Sequence, residues 1–440
     1  MQKPVFKPGL VTTLVVLLTC WQPATAEDLA DVYQLALKND AQLMIAEADY
    51  LTAIQALPLA ESANLPQIFF NANAGVRESE NSETGSNSSD NIGYSVDLTQ
   101  SLYDTEVKGN IDIAEANSAA ALARLQSARQ DLILRVSETY FSILAAEDNV
   151  EFAYAERNAI ARQLEEAQKR FEVGLIAITD VQEAQASFDN AEAQVILAEN
   201  IRENAYQALV VLTADTSIRE LAPLGEKLQL DLPEPATVQS WVLLAVNNNL
   251  DLRAAQQDLN AARFERDKQN RNRNPTVDLI ASVGDNDTND DLLGDSREQD
   301  VRLGVELNIP LYVGGRIDAE RQQADAAFVS AQNTALLQNR LATQQSRVAF
   351  LDVVSGISQV KAFDQALESS NIALEATQAG FEVGTRTSVD VLISLRETYR
   401  AQRDYASSRY EYVLNKLRLK QAAGILNEDD LLEINGFLNQ

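Results

Sequence analysis

The residues best suited to chemistry are an arginine and an aspartate that follow one of two copies of a short motif. FEVGLIAITDVQ begins at Phe171, and FEVGTRTSVDVL begins at Phe381, 210 residues later. The second copy carries Arg386 and Asp390 just past its glycine, whereas the first copy has Ile176 in the place of the arginine. The guanidinium can form ion pairs with carboxylates, and the carboxylate can attract cations.

Most catalytic chemistry needs residues that this sequence lacks. It has no histidine, and its single cysteine, Cys20, lies in a predicted signal peptide, so imidazole and thiolate catalysis and most zinc sites are excluded. It also lacks the motifs G-x-x-x-x-G-K-S/T and G-x-G-x-x-G, which bind nucleotide phosphates. Chemistry by carboxylates alone stays open, but the acidic residues are scattered through segments of helical pattern. We therefore expect no enzyme, no metal site and no cofactor.

Residues 1–26 have the pattern of a signal peptide. Two lysines precede a mostly apolar run at 10–18, which is too short to cross a bilayer as a helix, and an Ala-Thr-Ala cleavage site ends at Ala26. Bulky Trp21 disfavours lipidation of Cys20. We predict an exported chain.

The predicted exported chain is strongly acidic. Removal of the two lysines leaves 34 basic and 65 acidic residues, a net charge of −31. Such a charge repels nucleic acid and favours cations. We expect no nucleic-acid partner, although the charge also serves solubility.

Similar motifs in the two halves indicate an internal duplication. At a spacing of 209 residues, Leu35-Ala36 matches Leu244-Ala245, Pro66 matches Pro275, and Leu102-Tyr103 matches Leu311-Tyr312. We predict a first repeat at 27–221, a linker at 222–240, a second repeat at 241–424 and a C-terminal segment at 425–440.

Each predicted repeat contains two strands. Apolar and polar residues alternate over about nine positions, which is typical of a strand with one oily face and is close to the length that crosses a bilayer. The predicted strands are ~67–77, ~91–103, ~276–284 and ~301–312. The polar, acidic segments 78–90 and 285–300 between paired strands are expected to be loops. Four strands are too few for a closed membrane barrel, so we expect oligomerisation, with three copies as the simplest solution.

The remaining segments predict long helices. Residues 111–173 contain neither glycine nor proline, and a helix of that length reaches about 95 Å. Apolar residues recur every three or four positions, so such helices must pack side by side. Gly174 and Gly384 then mark the tips of two helical hairpins, where positive φ is easiest for glycine.

These features and several motifs resemble the TolC family of outer-membrane efflux channels. The motifs are LPQ at Leu65, LTQSLYD at Leu98, VGLIAITDVQ at Val173, NIPLYVGG at Asn308, VGTRTSVDVL at Val383 and LNEDDLL at Leu426. The resemblance implies a mainly α-helical homotrimer with a shared membrane β-barrel and a coiled-coil tunnel. The channel would sit in outer-membrane lipid and extend into the periplasm, girdled by an equatorial belt from 222–240 and 425–440.

The resemblance also implies a passive exit duct for efflux and type I secretion. A periplasmic adaptor protein and an inner-membrane pump of the RND, ABC or MFS type would open it by uncoiling the second-repeat hairpin from the first. The expected adaptor contacts are Val173, Gly174, Leu175, Val383, Gly384 and Thr385. Neither the cargo nor the particular pump follows from the sequence.

Residues beside the tips acquire gate roles from the same resemblance. Arg386 would pair with Thr179 and Asp180 of the same or a neighbouring chain to hold the entrance shut. Asp390 would project into the aperture.

Two positions depart from the family pattern. Ile393 stands where the family has a second aperture aspartate, and Phe381 stands where it has a tyrosine. We therefore expect weaker cation binding at the entrance and one hydrogen bond fewer in the latch.

The two aspartates also have purely structural interpretations. Asp180 and Glu183 have the spacing of a D-x-x-E capping box, which would only start a helix. Ile393 leaves Asp390 without such a partner, so Asp390 is expected to be a gate residue or a solvated charge.

Two other functions stay open. A trimeric envelope spacer or adhesin would share the helices and the charge, and a stand-alone porin would share the strands. The spacer has no need of Arg386 and Asp390 beside one tip, and the porin has no use for helices of about 95 Å.

Overall fold

Long helices and one small sheet make up the fold. The computed structural model describes residues 26–81, 85–225, 228–290 and 294–438, so the predicted signal peptide lies outside it except for Ala26. In these ranges no helix is both long enough and apolar enough to cross a membrane. The helices are α1 Leu29–Asn39, α2 Ala41–Ser62, α3 Thr105–Glu172, α4 Ile178–Thr213, α5 Val238–Asn248, α6 Leu250–Asn270, α7 Arg316–Glu382, α8 Ser388–Ala422 and α9 Glu428–Asn435. The strands are β1 Gln67–Asn81, β2 Gly85–Tyr103, β3 Thr276–Asp290 and β4 Ser296–Asn308.

The same series of elements occurs twice along the chain. Each half runs through two helices, two strands, one very long helix and a shorter returning helix. α1 and α5 both have 11 residues, β1 and β3 both have 15, and α3 and α7 have 68 and 67. The order and the lengths of the elements are thus similar in the two halves.

The duplicated helices α2 and α6 begin at equivalent polar caps. Asp40 and Asn249 each accept a hydrogen bond from the backbone N–H three residues on, at 2.8 and 2.9 Å. Asp40 is buried, and both oxygens bind the Arg135 guanidinium at 2.8 Å. Asn249 instead donates to the carbonyl of Ala422 at 3.2 Å, so the start of α6 lies beside the end of α8.

The sheet joins the two halves. Its strands are antiparallel in the order β1-β2-β3-β4, and the β2–β3 pair connects the first half to the second. One cross-strand row consists of Phe70, Val96, Val283 and Val301. Phe70 and Val301 are 69% and 81% exposed in one chain, so this apolar face needs lipid or protein to cover it.

The two segments predicted to be loops are mostly strand. β1 continues to Asn81 and β2 starts at Gly85, and β3 continues to Asp290 and β4 starts at Ser296. β4 also ends at Asn308 instead of near residue 312, because Pro310 has no N–H to donate to a neighbouring strand.

Polar cross-strand contacts stabilise these extended ends. Asp285 is buried, and it accepts hydrogen bonds from the Tyr94 hydroxyl at 3.2 Å and the Gln299 amide at 2.9 Å. Arg297 pairs with the same carboxylate at 2.5 Å. A polar sequence here forms a ladder because its side chains satisfy one another.

Side chains of the long helices hold the linker between α4 and α5. Tyr140, Tyr206 and Tyr412 each donate from the phenol hydroxyl to a linker carbonyl, at 2.7, 2.7 and 3.0 Å. A backbone bridge joins Leu224 to Leu438, so the linker lies beside the C-terminal segment. These bonds satisfy several backbone carbonyls of a segment that has little regular structure to do so.

Candidate functional site at the hairpin tips

Both long helical hairpins turn at a glycine in the left-handed region. Gly174 has a φ of 77° and Gly384 a φ of 81°, as expected for turns, and neither has an atom within 4 Å of where a Cβ would lie. The next N–H, of Leu175 or Thr385, donates to a carbonyl five residues back at 2.9 or 2.8 Å. This is the Schellman motif, and it requires glycine for its backbone conformation and not for space.

The tips expose apolar side chains. Val173, Leu175 and Val383 are 69%, 72% and 76% exposed, and Thr385 beside them is also exposed. Clustered apolar side chains in water are typical of a contact surface.

The returning helices α4 and α8 begin differently. At α8, the Thr387 hydroxyl accepts from the N–H of Asp390 at 3.2 Å, and the Asp390 carboxylate accepts from the N–H of Thr387 at 2.9 Å. The prediction that Asp390 has no capping partner is therefore wrong, because threonine is the cap and aspartate its third-position partner. At α4 the cap position is Ala177, without a side-chain hydrogen bond, so the predicted Asp180–Glu183 box is wrong as well.

The capping box also sets the charge of Asp390. The backbone and side-chain hydrogen bonds from Thr387, with the nearby Arg386 charge, lower the pKa of Asp390 below its ordinary value. Ile393 lies one turn later and is 49% exposed, so no second carboxylate stands there. A half-buried, ionised aspartate at this point can attract a cation.

The expected latch residues lie at the same end of the molecule but do not touch within one chain. Arg386 is exposed, and its side chain lies so close to Gly380 that a Cβ there would come within 2.8 Å of Arg386 Cγ. Thr179 is exposed and Asp180 half-buried on the first hairpin. In the described part of one chain, Arg386 forms no hydrogen bond or ion pair with either of them.

Phe381 joins the second hairpin to the first. Its side chain is only 8% exposed, and the Arg170 guanidinium carbon lies 4.2 Å from the ring centroid. Glu166 pairs with Arg170 at 2.6 Å. Sequence reasoning missed Arg170 and Glu166, because a Glu–Arg pair four residues apart on a helix has the pattern of an ordinary surface ion pair.

Further contacts tie α3 of the first hairpin to α8 of the second. Arg403 pairs with the mostly buried Glu156 at 3.1 Å. Beside the tips an apolar cluster packs the hairpins together; its buried members are Ala159, Ile160, Leu164, Ala167, Val181, Ala184, Ala191, Leu392 and Leu395.

The sequence of this chain is similar to those of known proteins over most of its length. A family model described as outer membrane efflux protein matches residues 32–215 and 241–425. The chain is 36% identical to outer membrane protein TolC of Vibrio cholerae over 416 residues, which cover 94% of each protein. It is 29% identical to the alkaline protease secretion protein AprF of Pseudomonas aeruginosa over 423 residues, covering 94% of this chain and 88% of AprF.

A solved structure shares the fold. The outer membrane channel CmeC of Campylobacter jejuni superposes with a TM-score of 0.80, covering 100% of this chain and 98% of CmeC. The two sequences are 16% identical, so this likeness bears on the fold alone.

Proposed function

This chain belongs to the outer membrane efflux protein family, and from that premise we propose that three copies form a duct closed at the hairpin tips. Membership makes the protein an outer-membrane exit duct for efflux and secretion and not an enzyme. Its mainly helical fold with a few strands is the fold of such channels.

The edges of the chain support the homotrimer. Among the described strands, β1 and β4 each pair on one side only, and their free N–H and C=O groups can bind a further strand. Exposed apolar side chains also lie on α7, α2 and α4; they include Val329, Leu336, Leu337, Ile45, Leu51, Ile196 and Leu197. A second copy could pair its β4 with β1 of the first copy and pack its α7 against α2 and α4. This arrangement would cover both the strand edges and the exposed apolar side chains.

The alternating faces of the sheet support a shared barrel. Three copies would supply enough strands, because closed membrane barrels need about eight or more. The row of Phe70 and Val301 would face outer-membrane lipid. The opposite face, with Asn71 bound to Asp97 at 2.8 Å, would line a polar lumen.

A latch between neighbouring copies would close the inner end. Arg386 would reach Thr179 and Asp180 of the next copy, since these residues share one end of the molecule without touching inside a chain. Three copies of Asp390 would ring the aperture, and Ile393 would leave cation binding weaker than with two acidic rings.

Partner proteins would supply the energy for opening. The adaptor would contact the exposed tips at Val173, Gly174, Leu175, Val383, Gly384 and Thr385, and a pump of the RND, ABC or MFS type would drive transport. AprF is named for the secretion of an alkaline protease, which supports proteins as one class of cargo.

Two observations carry this proposal: the apolar side chains exposed at the hairpin tips, and the described strands β1 and β4, which each pair on one side only. Reconstitution into planar bilayers tests it. Trimers should form, and each should conduct in small, discrete steps. A large conductance that never closes would favour a stand-alone porin. Folded trimers that do not conduct would favour a spacer or adhesin.

A further inference from the structure

The two copies of the FEVG motif place their phenylalanines in different surroundings. Phe171 is 41% exposed, whereas Phe381 is 8% exposed and lies between the hairpins. The guanidinium over the Phe381 ring, 4.2 Å from its centroid, comes from Arg170 in the last turn of α3. The same position of the motif is thus largely exposed in the first copy and packed against the other hairpin in the second copy.

We propose that the Arg170–Phe381 contact is a lock that holds the second hairpin against the first inside each protomer. The lock rests on the proposed function, because it matters only if the tips form a gate. It lies among the last four residues of both α3 and α7, so it is the first contact that separating tips would break. It uses the ring of Phe381, the residue that replaces the latch tyrosine of the family pattern, and it lies inside one protomer, whereas the proposed contacts of Arg386 join neighbouring copies.

The chemistry of the pair suits a lock. A guanidinium over an aromatic face is attracted by the negative charge of the ring face, and the attraction increases as water is excluded. The Arg170 side chain is 30% exposed and the ring is almost fully covered, so both groups are partly desolvated. Glu166 Oε1 lies 2.6 Å from the Arg170 guanidinium, one turn earlier on the same helix, and helps to hold it in place.

The same helix offers a matched control one residue earlier. Lys169 pairs with Glu165 at 2.5 Å with the same four-residue spacing, but their side chains are 70% and 64% exposed. This pair has the same charges and almost the same place along α3, yet it faces solvent. Removing it tests for general effects of charge and helix stability.

Single-channel recording of full-length trimers in planar bilayers tests the lock. Arg170→Met and Phe381→Leu should each raise the open fraction about fivefold or more, and the double variant should exceed neither single variant by much. Glu166→Gln should raise it less. Lys169→Met and Glu165→Gln should leave the open fraction unchanged. Phe381→Tyr keeps the ring, so the open fraction should stay at the wild-type value.

The outcomes separate the lock from the wider proposal. If Arg386→Ser opens the channel while Arg170→Met and Phe381→Leu leave it closed, the lock is wrong and the duct stands. If Lys169→Met opens the channel as much as Arg170→Met, the effect is general charge loss and the lock is again wrong. If neither the wild type nor any variant conducts as a folded trimer, the proposed function and the lock are both overturned.

Discussion

At the scale of the residue, Asp390 combines the proposed gate role with a capping role that the sequence interpretation had excluded. It closes the capping box of α8 with Thr387, and it stands where an acidic ring of the aperture is proposed. The hydrogen bonds that form the cap also lower the pKa of this carboxylate and so favour its ionised form. The cap therefore prepares the group that the gate would use.

Divalent cations bound at the proposed ring of Asp390 should block the channel. This block should persist in mild acid because the pKa of Asp390 is lowered. A lowered pKa keeps the carboxylate charged down to the ordinary value of 3.8, and the charge is lost only as the pH falls through the lower folded value. Conductance measured against divalent cation concentration at several pH values checks this. Thr387→Ala should move the loss of block to higher pH, and loss already at about pH 5 in the wild type would contradict the prediction.

Asp40 should contribute more to stability than its counterpart Asn249. Asp40→Ala removes both a helix cap and the partner of Arg135, so the free energy of unfolding should fall by about 2–3 kcal/mol, against about 1 kcal/mol for Asn249→Ala. Thermal unfolding followed by circular dichroism compares the two.

The pH dependence of the Asp40 effect has a definite sign. The Arg135 hydrogen bonds lower the pKa of Asp40, so its contribution is present above the ordinary aspartate pKa and is lost as the pH falls through the lowered one. The stability difference between wild type and Asp40→Ala should shrink in strong acid. Equal losses for the two variants at neutral pH would contradict the assigned ion pair.

At the scale of the element, tyrosines on long helices organise a linker that has little regular structure of its own. Tyr140→Phe leaves the buried carbonyl of Ala222 without its hydroxyl donor, which should cost about 1 kcal/mol. Tyr154→Phe is the control, because its hydroxyl binds Glu199 at the surface. Equal thermal midpoints for both variants would show that the linker does not depend on this bond.

The sequence predicted the long helices better than the ends of the strands. Long runs without glycine or proline are a local signal, and the turns at Gly174 and Gly384 have one local cause, a positive φ. The strand ends depend on partners such as Tyr94 and Asp285, which meet only after the halves of the chain have paired. For the same reason Arg170 gave no signal, since its partner Phe381 lies in the other half of the chain.

At the scale of the whole molecule, one described chain leaves strand edges and apolar side chains uncovered. In the proposed trimer, neighbouring copies would pair with the strand edges and cover the exposed apolar side chains. They would also bring Arg386 to Thr179 and Asp180. The net charge of −31 expected for the exported chain repels nucleic acid and favours cations near its surface.

The most direct test of the latched duct is the single-channel conductance of the wild type beside Arg386→Ser. The proposed latch adds three exposed ion pairs to the contacts that keep the gate closed, so the wild type should show a small conductance and the variant a conductance about threefold higher or more. Equal conductance in well-folded trimers of both proteins would contradict the account, because Arg386 would then have no part in keeping the entrance closed.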